Sequence, residues 1–165
     1  MILYRKASLE DLERLWDHHI ADNPGDDRYL RWKTQFISRN RNGEAATFVT
    51  VADGESVGEV TLEYRQSGNR AILADGRRTG YVGALRIRKE FEGLGYVSNM
   101  MKHMEAYARE KGFSRLTIGV EAAETRNLGI YLHWGYDEFV MSEVEDGTLI
   151  LFYAKSLFPF GASNT

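Results

Sequence analysis

Apolar positions in this chain recur at helical spacing in some stretches and alternate or run unbroken in others, and the change of period divides it into elements. Residues 2–6 read as a short opening strand. Leu9, Leu12, Leu15, Trp16 and Ile20 then form the apolar stripe of a helix, with Ser8 as its cap and Glu10 and Asp11 in its first turn. Asn23, Pro24 and Gly25 end it, because proline restricts the residue before it and glycine breaks the pattern. A second helix is predicted over about 27–39, with Tyr29, Leu30, Phe36 and Ile37 inward. Residues 46–52 and 56–64 read as strands joined through Asp53, Gly54 and Glu55 in a hairpin turn. The basic, turn-rich stretch 65–80, with Ala71, Ile72 and Leu73 inside it, is expected as a loop or hairpin extension.

Residues 81–88 give the next strand, followed by a glycine loop and a helix whose inner stripe is Val97, Met100, Met101, Met104 and Ala108 and which Gly112 ends. With a strand over 115–120 this makes a βαβ unit, so the two strands should be parallel. A loop and short helix then run to Gly135. Two last strands, about 136–144 and 148–154, join through Glu145, Asp146 and Gly147. Residues 159–165 read as a short frayed tail, and there is no internal repeat.

With 165 residues, 43% hydrophobic, the chain suits one domain over 1–158. A formal net charge of −3 gives no basic excess, which argues against nucleic acid and for a small cationic or neutral partner. The absence of cysteine excludes disulfides, thiolate metal sites and a cysteine nucleophile. Neither a signal core nor an apolar run of membrane-spanning length occurs, so no membrane partner and a cytoplasmic location are expected.

The stretch richest in candidate chemistry joins the strand end at Leu85 and Ile87 to the helix start through Gly93 and Gly95. Glycines before a helix leave backbone N–H groups unpaired and facing outward, a cradle for an anion such as phosphate. The same spacing also describes an ordinary tight turn. No lysine followed by Ser or Thr comes after the glycines, so this is not a P-loop, and the dinucleotide fingerprint is incomplete. Asp22, Asp26 and Asp27 between the first helices read either as a solvated loop or as an acidic lip for a cationic acceptor.

Three segments, Y-R-K-A-S-L-E-D-L from Tyr4, E-F-E-G-L-G-Y-V-S-N-M-M from Glu90 and I-Y-L-H-W-G-Y from Ile130, resemble in order and spacing the GNAT superfamily of acyl-CoA-dependent N-acetyltransferases. The resemblance implies an α/β (α+β) fold. Its mixed, mostly antiparallel sheet has about seven strands, splayed between the fourth and fifth, with about four flanking helices. It further implies acetyl-CoA as acyl-donor co-substrate in that splay, with no metal. The fourth strand, at Leu85, Arg86 and Ile87, would face the pantetheine arm. The family's pyrophosphate motif, Q/R-x-x-G-x-G/A, falls on Glu92, Gly93, Leu94, Gly95, Tyr96 and Val97, with Ser98 following; Gly95 matches, while Glu92 and Val97 depart. Arg86, Arg88 or Lys89 would then supply charge. The family's asparagine slot holds Glu124, leaving Asn127, one turn further on, to reach the coenzyme or to cap the helix.

Tyr131, four residues before Gly135, matches the family's frequent general acid, which protonates the leaving thiolate. Tyr136 reads as packing. His133 reads as a half-exposed helix residue or a proton relay. An alkyl amine with a pKa near 10.4 lies about 3.4 units above neutrality, so deprotonating it costs roughly 4.6 kcal/mol and a base would help. Glu59 and Glu63 share a strand face and Glu121 closes the strand after the splay; Glu59 is the first candidate, and each also reads as a surface carboxylate. The implied reaction is acetyl transfer to a primary amine, on a small molecule or peptide, by direct attack in a ternary complex. A non-catalytic acyl-CoA-binding or regulatory module with a degenerate loop is the alternative. Monomer and homodimer both remain open, the last strand being able to pair across a dimer.

Overall fold

The computed structural model describes residues 1–158; the expected tail lies outside the described residues. The strands are β1 (Ile2–Lys6), β2 (Ala45–Ala52), β3 (Glu55–Glu63), β4 (Thr79–Ile87), β5 (Arg115–Glu121), β6 (Glu138–Glu145) and β7 (Thr148–Ser156). The α-helices among the described residues are α1 (Leu9–Asp22), α2 (Arg28–Arg41), α3 (Tyr96–Glu110) and α4 (Thr125–His133). The strands form one mixed sheet in the order β1-β2-β3-β4-β5-β7-β6, with β4 and β5 parallel. The chain divides into two compact units: Met1–Leu62 with Ala84–Met104, and Glu63–Gly83 with the chain from Glu105 on.

In the first unit, Ser8 accepts a 3.1 Å hydrogen bond from the Asp11 N–H while the Asp11 side chain accepts one from the Ser8 N–H at 2.8 Å. This capping box fixes where α1 begins. Leu12, Leu15 and Trp16 are buried, but Leu9, the first residue of the helix, is exposed. In α2 the inward positions are Tyr29, Trp32, Phe36 and Ile37, and Leu30 is exposed. Leu30 shares the stripe of Ile37, seven residues on, but stands in the first turn of α2. Ala7, Leu12, Leu15, Ile37, Val49 and Val51 form one core cluster. β1 pairs antiparallel with β2 from Ile2 opposite Ala52 to Lys6 opposite Phe48. The turn into β3 carries Asp53 and Gly54 both at positive φ, 49° and 84°, the backbone a two-residue hairpin turn demands.

In the second unit β4 pairs with β5 from Thr79 opposite Arg115 to Val82 opposite Ile118, the parallel arrangement expected of the βαβ unit. The register stops there although β4 runs on to Ile87 and β5 to Glu121. Two residues later Ala84 sits at φ 50°, a left-handed conformation that costs a residue with a side chain roughly 1–2 kcal/mol. β7 pairs antiparallel with both β5 and β6, and the β6 register shifts between Phe139 and Met141. The stretch expected as a loop or extension contains a short 3-10 helix, Gly68–Leu73, closed by a bridge between Arg65 and Asp75. Thr117 anchors it by donating a 2.7 Å hydrogen bond to the Leu73 carbonyl.

Candidate functional site

The loop before α3 is built as an open backbone turn. Gly93 and Gly95 hold φ values of 74° and 82°, and a Cβ added to either would meet nothing within 4 Å. The first helical bond runs from the Asn99 N–H to the Gly95 carbonyl, 3.2 Å, so the amides of Tyr96, Val97 and Ser98 precede the ladder and lack helical acceptors. Met100, Met101 and Met104 are buried and anchor the helix, with Val97 half-buried at its start. Glu92 and Leu94 are exposed, and Glu92 makes no ion pair among the described residues. The cations expected to help are mostly engaged elsewhere: Arg86 Nη1 binds Glu59 at 3.1 Å and Arg88 Nη1 binds Glu55 at 3.3 Å. Lys89 remains exposed beside the loop.

Glu59 and Glu63 are not surface carboxylates. Both are buried, because β3 is an interior strand covered along nearly its whole length. Glu59, 3% exposed, is held from two sides, Oε1 by Arg86 and Oε2 by Nε2 of His19 at 2.6 Å. Without those partners a buried carboxylate would cost several kcal/mol. Trp16 shapes the same corner: its ring meets the edge of His19 at 5.2 Å, and the Arg86 guanidinium lies 5.6 Å from its centroid. Beside the cluster is a cavity of about 190 Å3 lined by residues of α1, β3 and β4. Sequence reasoning missed His19, yet the signal was present, since 12, 15, 16 and 19 fall on one helical stripe. Glu121 is exposed at the end of β5.

The three aspartates between α1 and α2 do not form a free acidic lip. Asp26 pairs with Arg28 at 2.7 Å, which holds its carboxyl below the usual range, and Asp22 lies 3.2 Å from His18. Asp27 stands exposed at the start of α2 and makes no capping bond.

In the second unit, α4 presents Tyr131 half-buried, its ring 5.8 Å from that of Trp134. Burial, and after it the charge of Glu124, pushes the phenol pKa above its ordinary value of 10.0, so it stays protonated at neutral pH. Its hydroxyl makes no hydrogen bond among the described residues. Tyr136 is instead fully buried and gives its hydroxyl to Glu105, the packing role expected of it. Asn127 is not a cap: Glu124 holds the N-cap position, and the Asn127 amide, two residues inside α4, donates to the Glu124 side chain. His133 is exposed at the helix end rather than half-exposed.

Residues 9–136 match the family model of the acetyltransferase (GNAT) family. The chain belongs to this family. No curated protein sequence matches it. Among solved structures it is similar to a ribosomal-protein-alanine N-acetyltransferase from Brucella melitensis, at 18% identity over 93% of this chain and 99% of the other, with a TM-score of 0.70. It is likewise similar to the yncA protein of Salmonella typhimurium, solved with its cofactor acetyl-CoA, at 15% identity over 98% and 96% with a TM-score of 0.70. A paia N-acetyltransferase from Thermoplasma acidophilum, in complex with coenzyme A, aligns at 18% identity over 94% and 99% with a TM-score of 0.62. These likenesses place the mixed sheet and its parallel β4 and β5 within the GNAT fold. No helix among the described residues is long and apolar enough to cross a membrane.

Proposed function

We propose that the chain transfers an acetyl group from acetyl-CoA to a primary amine by direct attack. The observation that carries this reading is the Tyr131 phenol, half-buried, kept protonated and without a hydrogen-bond partner among the described residues. That hydroxyl is not sealed in the core, and a protonated donor left accessible suits a ligand atom. Bound acetyl-CoA supplies the activated acyl carbon and a thiol leaving group. The unpaired amides of Tyr96, Val97 and Ser98, with Gly93, Leu94 and Gly95 before them, suit its diphosphate, since orphan N–H groups and the α3 dipole both favour negative charge. Leu85, Arg86 and Ile87 would contribute main-chain groups to the pantetheine arm, and Tyr131 would donate its proton to the departing sulfur. Asn127 is exposed near the start of α4 and would contact the coenzyme from there.

The test is thiol release from acetyl-CoA with a panel of primary amines, alongside calorimetric titration with coenzyme A. Tyr131→Phe is expected to lower kcat by about 10²–10⁴-fold, the usual worth of a positioned acid, while coenzyme affinity stays within about threefold. Coenzyme binding without release from any amine would instead support the non-catalytic module, and no binding at all would overturn both.

A further inference from the structure

The buried Glu59 cluster opens onto the cavity of about 190 Å3, which lies wholly within the first unit and is lined by Leu15, His19, Asp22, Glu59, Arg86 and Arg88 among others. We propose that this cavity receives the acceptor as a small α-amino acid, with Arg86 and Arg88 taking its carboxylate and His19 Nδ1 taking a proton from its ammonium group. The proposal rests on the acetyl-transfer reading above.

The proton's place on His19 follows from its neighbours. Glu59 facing a guanidinium is an acceptor only, so the 2.6 Å contact requires the hydrogen on Nε2 of His19. Arg86 Nη1, 3.3 Å from the same nitrogen, is itself a donor and cannot supply that bond. In the neutral imidazole Nδ1 then carries the lone pair, and it makes no hydrogen bond among the described residues. A carboxylate fixing one ring nitrogen so that the other can accept a proton is a familiar way to orient a general base. Glu59 is then a positioning residue and His19 the catalytic one.

The charges around the cavity choose the ligand. Lining the cavity with His19 are His18 and Asp22 from α1, Glu59 from β3, Arg86 from β4 and Arg88 just beyond it, with Glu55 paired to Arg88. Glu59 is sealed and bonded on both oxygens, while Asp22, 62% exposed beside His18, and Glu55, 72% exposed beside Arg88, are in surface pairs only. Each guanidinium spends Nη1 on a glutamate and keeps other donors, and two such forks at one cavity suit a carboxylate. Arg86 gives Nη1 to Glu59, leaving its other donors for a ligand. The volume is below the roughly 300–1,000 Å3 of sites for drug-sized ligands, so the acceptor is small. Arg86 and Ile87 line the cavity from β4, the strand whose main chain is assigned above to the pantetheine arm.

In the reaction, Nδ1 of His19 takes one proton from the ammonium and passes it to solvent. The nitrogen lone pair forms the bond to the acetyl carbon as the bond from that carbon to sulfur breaks. The departing sulfur takes the Tyr131 proton of the reading above, the phenol regains one from solvent, and the second proton lost by nitrogen as the amide forms passes to solvent.

The test compares L-alanine, L-leucine and L-phenylalanine with ethylamine, 3-methylbutylamine and 2-phenylethylamine, which lack only the carboxylate, and with spermidine. Thiol release should favour each amino acid over its partner by about tenfold or more in kcat/KM, as one lost charged contact implies. Arg88→Gln should narrow that preference by raising KM. His19→Gln should lower kcat by about 10²-fold or more with KM within about threefold, and Glu59→Asp should recover more rate than Glu59→Ala. Independently of turnover, the His19 imidazole resonance, assigned with His19→Gln, should move when L-leucine is added to the coenzyme A complex. Failure to bind coenzyme A would overturn the acetyl-transfer reading itself. A protein that binds it but uses the plain amines or spermidine at least as well, acetylates no amino acid, or leaves the His19 resonance unmoved overturns this proposal alone.

Discussion

The Tyr136 hydroxyl donates a 2.8 Å hydrogen bond to Oε2 of Glu105, and Lys155 Nζ reaches both oxygens of the same carboxylate at 3.0 and 3.1 Å. Glu105 is 5% exposed, so these donors decide whether its charge is tolerable inside the second unit. Removing one partner of a buried charge is far costlier than removing a neutral hydrogen bond. Lys155→Met should therefore destabilise the protein by about 3 kcal/mol and Tyr136→Phe by about 1–2 kcal/mol, read from urea unfolding midpoints. Tyr136→Phe should also keep its turnover, in contrast to Tyr131→Phe. Equal stability of the two variants would show that the carboxylate is held by something else.

Asp11 gives α1 a pH dependence. Burial raises its pKa, but hydrogen bonds from Arg5 and from Ser8 outweigh that and hold the carboxyl below its ordinary value of 3.8. A group whose folded pKa is depressed contributes its full stability above the unfolded value and loses it as pH falls through the folded one. The wild type should accordingly lose stability below about pH 4. Asp11→Asn should cost about 1–2 kcal/mol at neutral pH, through the lost charge in the Arg5 pair and a weaker bond from the Ser8 N–H, and show a shallower acid limb. Thermal melts of both proteins from pH 3 to 7 measure this; parallel curves would exclude Asp11 as the titrating group.

Much of the fold was legible in local pattern because its punctuation is local. Ser8 and Asp11 mark the start of α1, Asp53 with Gly54 and Asp146 with Gly147 mark the hairpins, and all four of these turn residues take positive φ. The misses, Leu9 and Leu30, keep the phase of the buried Trp16 and Ile37 but stand in the first turns of their helices, and periodicity gives the face of a helix without saying how far along it the cover extends. The site was less legible, since burial of a polar residue depends on which strands become interior. Glu59 reads the same on an edge strand as on β3, and only the sheet order shows it covered on both faces and needing His19 and Arg86. Likewise Tyr131 and Tyr136 lie on similar apolar stretches of sequence, and what separates them is Glu105, remote along the chain, which occupies one hydroxyl and leaves the other open.

Glu92 sets the last expectation. It is exposed, without an ion pair among the described residues, at the start of the glycine loop whose amides lead into α3. A carboxylate there is favourable to the positive end of the helix when the loop is empty, and unfavourable beside a diphosphate carrying the same sign. Glu92→Gln should therefore leave the melting temperature of the free protein unchanged or slightly lower, while tightening coenzyme A binding by roughly threefold at low salt. Because the interaction is between exposed charges, the gain should fade as ionic strength rises toward 1 M, where the Debye length is about 3 Å. Calorimetric titrations of both proteins at low and high salt check the sign and the salt dependence together. Weaker binding in the variant, or a gain indifferent to salt, would mean that the diphosphate does not lie against this loop.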